Sequence, residues 1–472
     1  PGAVVLKGMF GIDSYVSIFA ITILTGIYTI VGGLTAVVLT ESIQTIVLLL
    51  GAICITFISL HHAGGWEGLQ SSVESVKLTV LRSKDDPSNL PWYSVFLGYP
   101  IIGLWYWCAD QTIVQRVLGA KDENHARVGA LFAGFIKILP VFIFVLPGLV
   151  CLALINQGKV DPLPLAVSEL PQEKTQVLES PPVLQDSFDP ETSLVLDTVI
   201  THDGTADYDR LVESTGLQHA EIKSAMDRLT QAGPVQVDEG KVVQVKVQSG
   251  LTYSHMILHL LPTGLRGLLA AALLAALMST VSGALNSIAT LFSYDIFKRW
   301  RPSTPDKSLV RIGRLVTFVA MIAAMLWSPL LNKFESIFQG INAMISYIAP
   351  PITAVFLWGL FWRRASAKAA VVTLWSGFGL GLIVFLLDWN KEVTGWNVPF
   401  MMMAFYLFWI CSAILGIVSI FYPHKHTSDS EQLVWRRPIE ALKGHAWPWL
   451  GNYRFLAGLL FLIMVALYYV FQ

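Results

Sequence analysis

Eight small or polar residues, Ala276, Ser279, Thr280, Gly283, Asn286, Ser287, Thr290 and Ser293, fall at helical spacing through the stretch Leu265–Phe297. That spacing aligns them as one stripe on a helix whose other faces are Leu, Ile and Ala. No charge lies between Arg266 and Asp295, and the stretch is long enough to cross a bilayer. Hydroxyls in that setting suit a hard cation, which prefers oxygen ligands. The same small residues suit a seam where neighbouring helices pack closely. On the stripe alone, the seam is the favoured reading and the cation site the alternative.

A few ionisable or amide side chains also sit in apolar surroundings, where each needs a partner or a function. Glu41 lies in GGLTAVVLTESIQT with Gln44 one turn on; it is either an ion ligand or a residue that reaches water at the cytoplasmic end. Asp110, in GLWYWCADQTIVQR, is six residues before Arg116, and an internal ion pair between them is the plain expectation. Lys137, in FAGFIKILPVFIFVLPG, could snorkel only by reaching back past Gly134 and Phe132. Gln339 and Asn342 open a further apolar span that contains Pro350-Pro351. Gly98, Pro100 and Gly103 predict a helix break just before the rings Trp105, Tyr106 and Trp107. Broken helices expose backbone only where they line a cavity, and rings beside one suit a polar ligand with apolar faces, such as a sugar.

The elements that must hold these residues are membrane helices. Hydrophobic residues make up 54% of the 472 residues and charged ones 14%, the balance of a polytopic membrane protein. A net charge of −1 gives no electrostatic case for nucleic acid. The four cysteines show no paired spacing, so neither a disulfide framework nor a zinc site is indicated. Ten apolar spans are predicted: 12–31, 35–60, 92–115, 129–155, 260–296, 308–329, 334–361, 367–388, 397–421 and 454–471. The loops containing Arg116–Arg127, Lys298–Arg314, Arg363–Lys368 and Lys425–Arg454 carry roughly three times the Lys and Arg of the alternating set, which makes them cytoplasmic. Three regions result: membrane helices in 1–155, an extramembrane insert in 156–252, and membrane helices in 253–472. The insert faces outside.

The insert carries 16 Asp and Glu against 7 Lys and Arg. Its first half is Pro-rich, acidic and linker-like. Its second half predicts two short helices joined at Thr215-Gly216 and a hairpin turning at Glu239-Gly240, an order that looks like a winged helix. Its acidity repels phosphate, so a protein-contact module is favoured over DNA binding, with the partner unidentified. The opening PGAVVLKGMF has neither Met nor a signal sequence, and is read as the start of a fragment.

Five separated stretches then carry a resemblance. GGLTAVVLTESIQT, LWYWCADQTIVQRVLGAK, GFIKILPVFIFVLPG, the stretch from Leu261 to Phe297, and GRL with SYIAPPITAVF together resemble the sodium/solute symporter family, most of all its sodium/glucose cotransporter branch. The resemblance implies an all-α polytopic fold with an inverted-repeat, five-plus-five transporter core, N-terminally truncated here, plus the small α+β insert. It implies sodium as the coupling ion and no other cofactor. Carried over residue by residue, it implies sodium ligands at Ala276, Ser279 and Thr280, and a second cation position at Glu41. There the family usually has Asp, and Gly283 stands where a hydroxyl would complete that site. It implies solute contacts at Tyr106, Trp107, Lys137 and Gln339. The family's first core helix, which supplies carbonyls to sodium, and the helix after it would precede this chain. Residues 1–472 alone are then expected to bind sodium and solute weakly.

The expected function is a sodium:solute symporter of the plasma membrane that imports a sugar or similar polar solute by alternating access. Its partners are the bilayer, sodium and the solute. An alternative is a membrane sensor that binds both and signals through the insert; another is a symporter for an amino acid, carboxylate or anion. No nucleophile–base pair or metal cluster supports an enzyme.

Overall fold

A computed structural model describes residues 2–84, 90–161, 251–328, 337–424 and 437–471. It also describes 163, 165–166, 192, 194–195, 198, 205–206, 208–232, 236–238, 242–244, 246–247, 430–431 and 433–435. The helices that matter below are α1 (Gly2–Phe10), α2 (Ser14–His62), α3 (Gly65–Ser72), α4 (Trp92–Cys108), α5 (Gln111–Leu118), α6 (Glu123–Ile136) and α7 (Leu146–Asn156). After them come α8 (Tyr208–Thr215) and α9 (His219–Ala232) in the insert, then α10 (Thr252–Leu260), α11 (Thr263–Thr290) and α12 (Asp306–Trp327). The chain ends with α13 (Ile337–Phe361), α14 (Ala367–Trp389), α15 (Phe400–Phe421) and α16 (Tyr453–Val470).

Among the described residues, nine helical stretches are long and apolar enough to cross a membrane. Two of them, Tyr15–Gly32 and Thr40–His62, belong to the single element α2. The Tyr28 hydroxyl meets that of Thr40, twelve residues on. A straight helix would separate those residues by about 18 Å, so α2 bends sharply between them. The Gly32-Gly33 pair lies in that interval, where the lack of Cβ atoms lets a helix bend.

The predicted span 92–115 is not one helix. It divides into α4, of 17 residues, and α5, of eight. The break also lies elsewhere than expected. Helix α4 runs through Gly98, Pro100 and Gly103 without interruption and stops at Ala109-Asp110. Gly98 is a packing glycine: a Cβ there would collide with the Met401 carbonyl of α15.

Most of the membrane helices form two packed groups, while α6 and α16 pack on each other. Helix α11 packs along α2, with α1, α7, α10 and α12 around them. Its core includes Ile55, Cys151, Met256, Ile257 and Leu269. The second group is α4, α13, α14 and α15, closed around Ile102, Tyr347, Met401, Ala404 and Leu407. Helix α5 touches both α4 and α11 and so joins the groups.

In the insert, α8 and α9 flank Gly216, whose φ of +70° is a left-handed value that glycine adopts readily. Leu211, Ile222 and Met226 are fully buried. Strands β3 (Gln236–Asp238) and β4 (Val242–Gln244) pair antiparallel, and β2 (Thr205–Ala206) adds to the other edge of β4. The residues at the predicted turn, Glu239 and Gly240, lie outside the described residues, as does most of the Pro-rich half. Strands β1 (Leu165–Ala166) and β5 (Lys246–Val247) also pair antiparallel, which brings the two ends of the insert together as a neck.

Candidate functional site

Two interrupted helices lie side by side in sequence order. The first interruption follows Tyr106 and Trp107 at the end of α4. Asp110 accepts a hydrogen bond from the Thr112 N–H at 2.9 Å and so starts α5 as its N-cap. The second begins at Lys137, the residue that closes α6. Three residues on, Pro140 has no N–H to give the helix, and a wide π turn, Val141–Val145, follows before α7.

These interruptions bring together three of the predicted solute residues. The Lys137 ammonium stands 4.0 Å from the centre of the Tyr106 ring and 5.3 Å from that of Trp107. The two rings meet edge to face at 5.5 Å. Rings polarise toward a cation on their faces, so the pair orients the ammonium and leaves its other donors for a ligand. Lys137 is exposed and the rings are half-buried. Gln339 is half-buried in the first turn of α13, which packs along α4.

The predicted cation residues lie at mid-length of α11. Thr280 donates its hydroxyl to the Ala276 carbonyl at 3.1 Å, which ties two of them into one turn. The half-buried Ser279 hydroxyl has no hydrogen-bond partner among the described residues. One turn on, Ser282 is fully buried and its Oγ also has no partner among the described residues. Ser282 stands one residue off the stripe, and its spacing of three from Ser279 is the only sequence signal for it.

Further along the stripe the hydroxyls are engaged in packing. Ser287 accepts a hydrogen bond from Gln115 of α5 at 2.9 Å and donates to the Gly283 carbonyl at 2.8 Å. Thr290 bonds back to the Asn286 carbonyl. The stripe therefore serves as a seam at this end.

Glu41 lies against α5. Both of its carboxylate oxygens accept from Arg116 Nη2 at 2.8 Å, while Arg116 Nη1 donates to the Thr112 carbonyl. Side-chain exposure is 15% for Glu41 and 30% for Arg116, so the pair is well shielded. The expected Asp110–Arg116 pair is thus replaced: Asp110 caps a helix, and Arg116 reaches a carboxylate 75 residues away in sequence. Gly283 makes room for it, since a Cβ there would stand 3.0 Å from Arg116 Nη2.

The model of the sodium:solute symporter family matches residues 1–179 and 226–377. The human sodium/myo-inositol cotransporter 2 is 31% identical over 406 residues, covering 82% of this chain and 50% of the relative. The bovine sodium/mannose cotransporter SLC5A10 is 28% identical over 463 residues, covering 92% and 66%. The zebrafish sodium/glucose cotransporter 4 is 29% identical over 406 residues, covering 82% and 51%. The chain spans about half the length of the first curated relatives it matches. Among solved structures, a Na+-coupled sialic acid symporter in a substrate-bound, outward-open state superposes with a TM-score of 0.59 at 22% identity, covering 90% of this chain and 70% of that one. That likeness supports the symporter fold.

Proposed function

The chain belongs to the sodium:solute symporter family, a family of transporters, and from that premise we propose that it serves sodium-coupled uptake of a sugar or cyclitol across the plasma membrane. The observation that carries the solute class is the Lys137 ammonium over the Tyr106 and Trp107 rings at paired helix interruptions. An ammonium can donate to hydroxyl oxygens while the rings cover the apolar face of a pyranose or inositol ring. The relatives named for myo-inositol, mannose and glucose point to the same class. Gln339, with an amide that both donates and accepts, completes the proposed solute contacts.

Sodium is the coupling ion in this reading. The Ala276 carbonyl and the Ser279 and Thr280 hydroxyls are its ligands from α11, uncharged oxygens that need no buried carboxylate. Glu41 is the proposed second cation position; in this conformation its carboxylate is held by Arg116, so a cation there would have to displace the guanidinium. Sodium and solute each favour the state that binds both, so their coupling is a shared and reciprocal free energy. Residues 1–155 and 253–472 supply the membrane-embedded machinery, and 156–252 form an insert outside the membrane.

The test is uptake of labelled myo-inositol, mannose and glucose by cells expressing the protein, with and without external sodium. At least one should accumulate only with sodium, and Lys137→Gln should weaken its half-saturation by about tenfold, the scale of one hydrogen bond from a charged donor. Sodium-driven uptake of an amino acid or carboxylate in place of all three would overturn the solute class.

A further inference from the structure

At the end of the molecule opposite the insert, a cavity of about 270 Å³ opens between the first half of α2, the end of α11 and the start of α12. Loop charge makes this end cytoplasmic. The cavity lies away from Lys137, Tyr106 and Trp107, and no residue of the proposed sodium site lines it.

Its polar lining divides into two sets. Thr29, Thr290 and Thr317 each donate to a carbonyl of their own helix. Ser293, Asn286 and Arg314 do not. Ser293 is 3% exposed, and its Oγ has no partner among the described residues. It sits in the π-helical segment Leu291–Phe297 that continues α11, a wide turn of the kind common at functional sites. The Asn286 side-chain amide and the exposed Arg314 guanidinium likewise have no hydrogen-bond or ion-pair partner among the described residues. The connection from Lys298 to Arg314 also carries Lys298, Arg299, Arg301, Lys307 and Arg311, none of which lines the cavity. Asp295 and Asp306 are nearby in sequence, but neither lines the cavity. Val31 and Val310, 77% and 53% exposed, form an apolar rim.

We propose that this cavity binds the phosphate-bearing headgroup of an anionic phospholipid from the cytoplasmic leaflet. The Arg314 guanidinium pairs with the phosphate through its fork of N–H donors, the geometry that suits arginine to phosphate. Ser293 and Asn286 bond headgroup or glycerol oxygens deeper in the cavity. The acyl chains leave over Val31 and Val310. Three features select a lipid over a soluble anion: the apolar rim, the position at the ends of three membrane helices, and the negative potential of that leaflet.

The test is native mass spectrometry of the 472-residue chain in detergent, titrated with phosphatidylglycerol or phosphatidylcholine. One phosphatidylglycerol should be retained in preference to phosphatidylcholine. Arg314→Gln should weaken that binding about tenfold and Ser293→Ala several-fold. Arg311→Gln, one turn earlier and outside the cavity, should leave it unchanged. Because Arg314 is exposed and unpaired, its replacement does not threaten folding. Equal losses in Arg311→Gln and Arg314→Gln would reduce the effect to diffuse charge and overturn the site. Displacement of the lipid by millimolar inorganic phosphate or glycerol phosphate would overturn the lipid assignment in favour of a soluble phosphate ligand.

Discussion

The hydroxyl of Ser279 and the carboxylate of Glu41 illustrate opposite ways for a polar group to sit inside an apolar chain. Ser279 keeps its lone pairs unspent, next to a Thr280 whose proton is already given to Ala276. Oxygens in that state can turn to a cation without breaking an existing contact. Replacing Ser279 and Thr280 together with Ala should raise the sodium concentration for half-maximal uptake by about tenfold while leaving maximal uptake at saturating sodium near its parent level. An unchanged sodium curve would leave that part of the stripe as a packing seam. Glu41, by contrast, has both oxygens committed to Arg116. Glu41→Gln removes the charge and keeps one acceptor, so it should cost about 1–3 kcal/mol of stability, between the values for exposed and buried pairs. If the carboxylate also takes a cation or proton during transport, the same change shifts the pH dependence of sodium-driven uptake. A profile identical to the parent from acid to neutral pH would confine Glu41 to its ion pair. The pairing itself was not legible in the sequence, because Arg116 had a nearer carboxylate in Asp110. The fold decides otherwise: the Asp110 side chain is drawn to the backbone N–H that starts α5, and α2 brings Glu41 to the guanidinium.

At the scale of elements, the sequence was informative where a residue stood out from its surroundings. Lys137, Tyr106 and Trp107 stand out because a cation and paired rings are anomalous in apolar spans, and the structure brings these three together. The helix break lies later than Pro and Gly predict. In a packed membrane helix Pro100 removes one backbone hydrogen bond, to Phe96, and the helix continues around it. Asp110 ends the run instead, by offering its side chain to the next helix. Gly98 and Gly103 then separate by role. A methyl at Gly98 meets the Met401 carbonyl, whereas one at Gly103 meets nothing within 4 Å. Gly98→Ala should therefore force α4 away from α15 and cost about 1–3 kcal/mol, the usual penalty of overpacking. Gly103→Ala should be neutral or slightly stabilising, since it lowers the entropy of the unfolded chain. Thermal unfolding of the two variants in detergent checks this; equal melting temperatures would mean that α4 and α15 do not approach as closely as described.

At the scale of the whole molecule, the insert is joined to the membrane helices through a narrow neck. Strands β1 and β5 pair across it, and just below them His255 of α10 donates from Nε2 to the Asp161 carbonyl at 2.9 Å. The His255 and His259 rings lie 4.2 Å apart, one turn along the same helix. Desolvation first, and then the positive charge of His259, hold the His255 imidazole below its ordinary value, with the hydrogen bond and charge of Asp161 opposing them. A folded-state value below the unfolded one means that the unfolded chain binds the proton more readily. The stabilisation from a neutral His255 is therefore present above the ordinary histidine value of about 6.5, and is lost as pH falls through the depressed folded value. Acidification should loosen the neck: the protection of α10 amides against exchange, corrected for their intrinsic pH-dependent rate, should fall between neutral and mildly acidic pH, ahead of that of α11. His255→Gln can still donate to the Asp161 carbonyl but carries no titrating charge, so the corrected protection of α10 should become insensitive to pH across that window. If the variant keeps the parent's pH response, the source is another group at the junction, and His255 is only a structural tie between the insert and the helices beneath it.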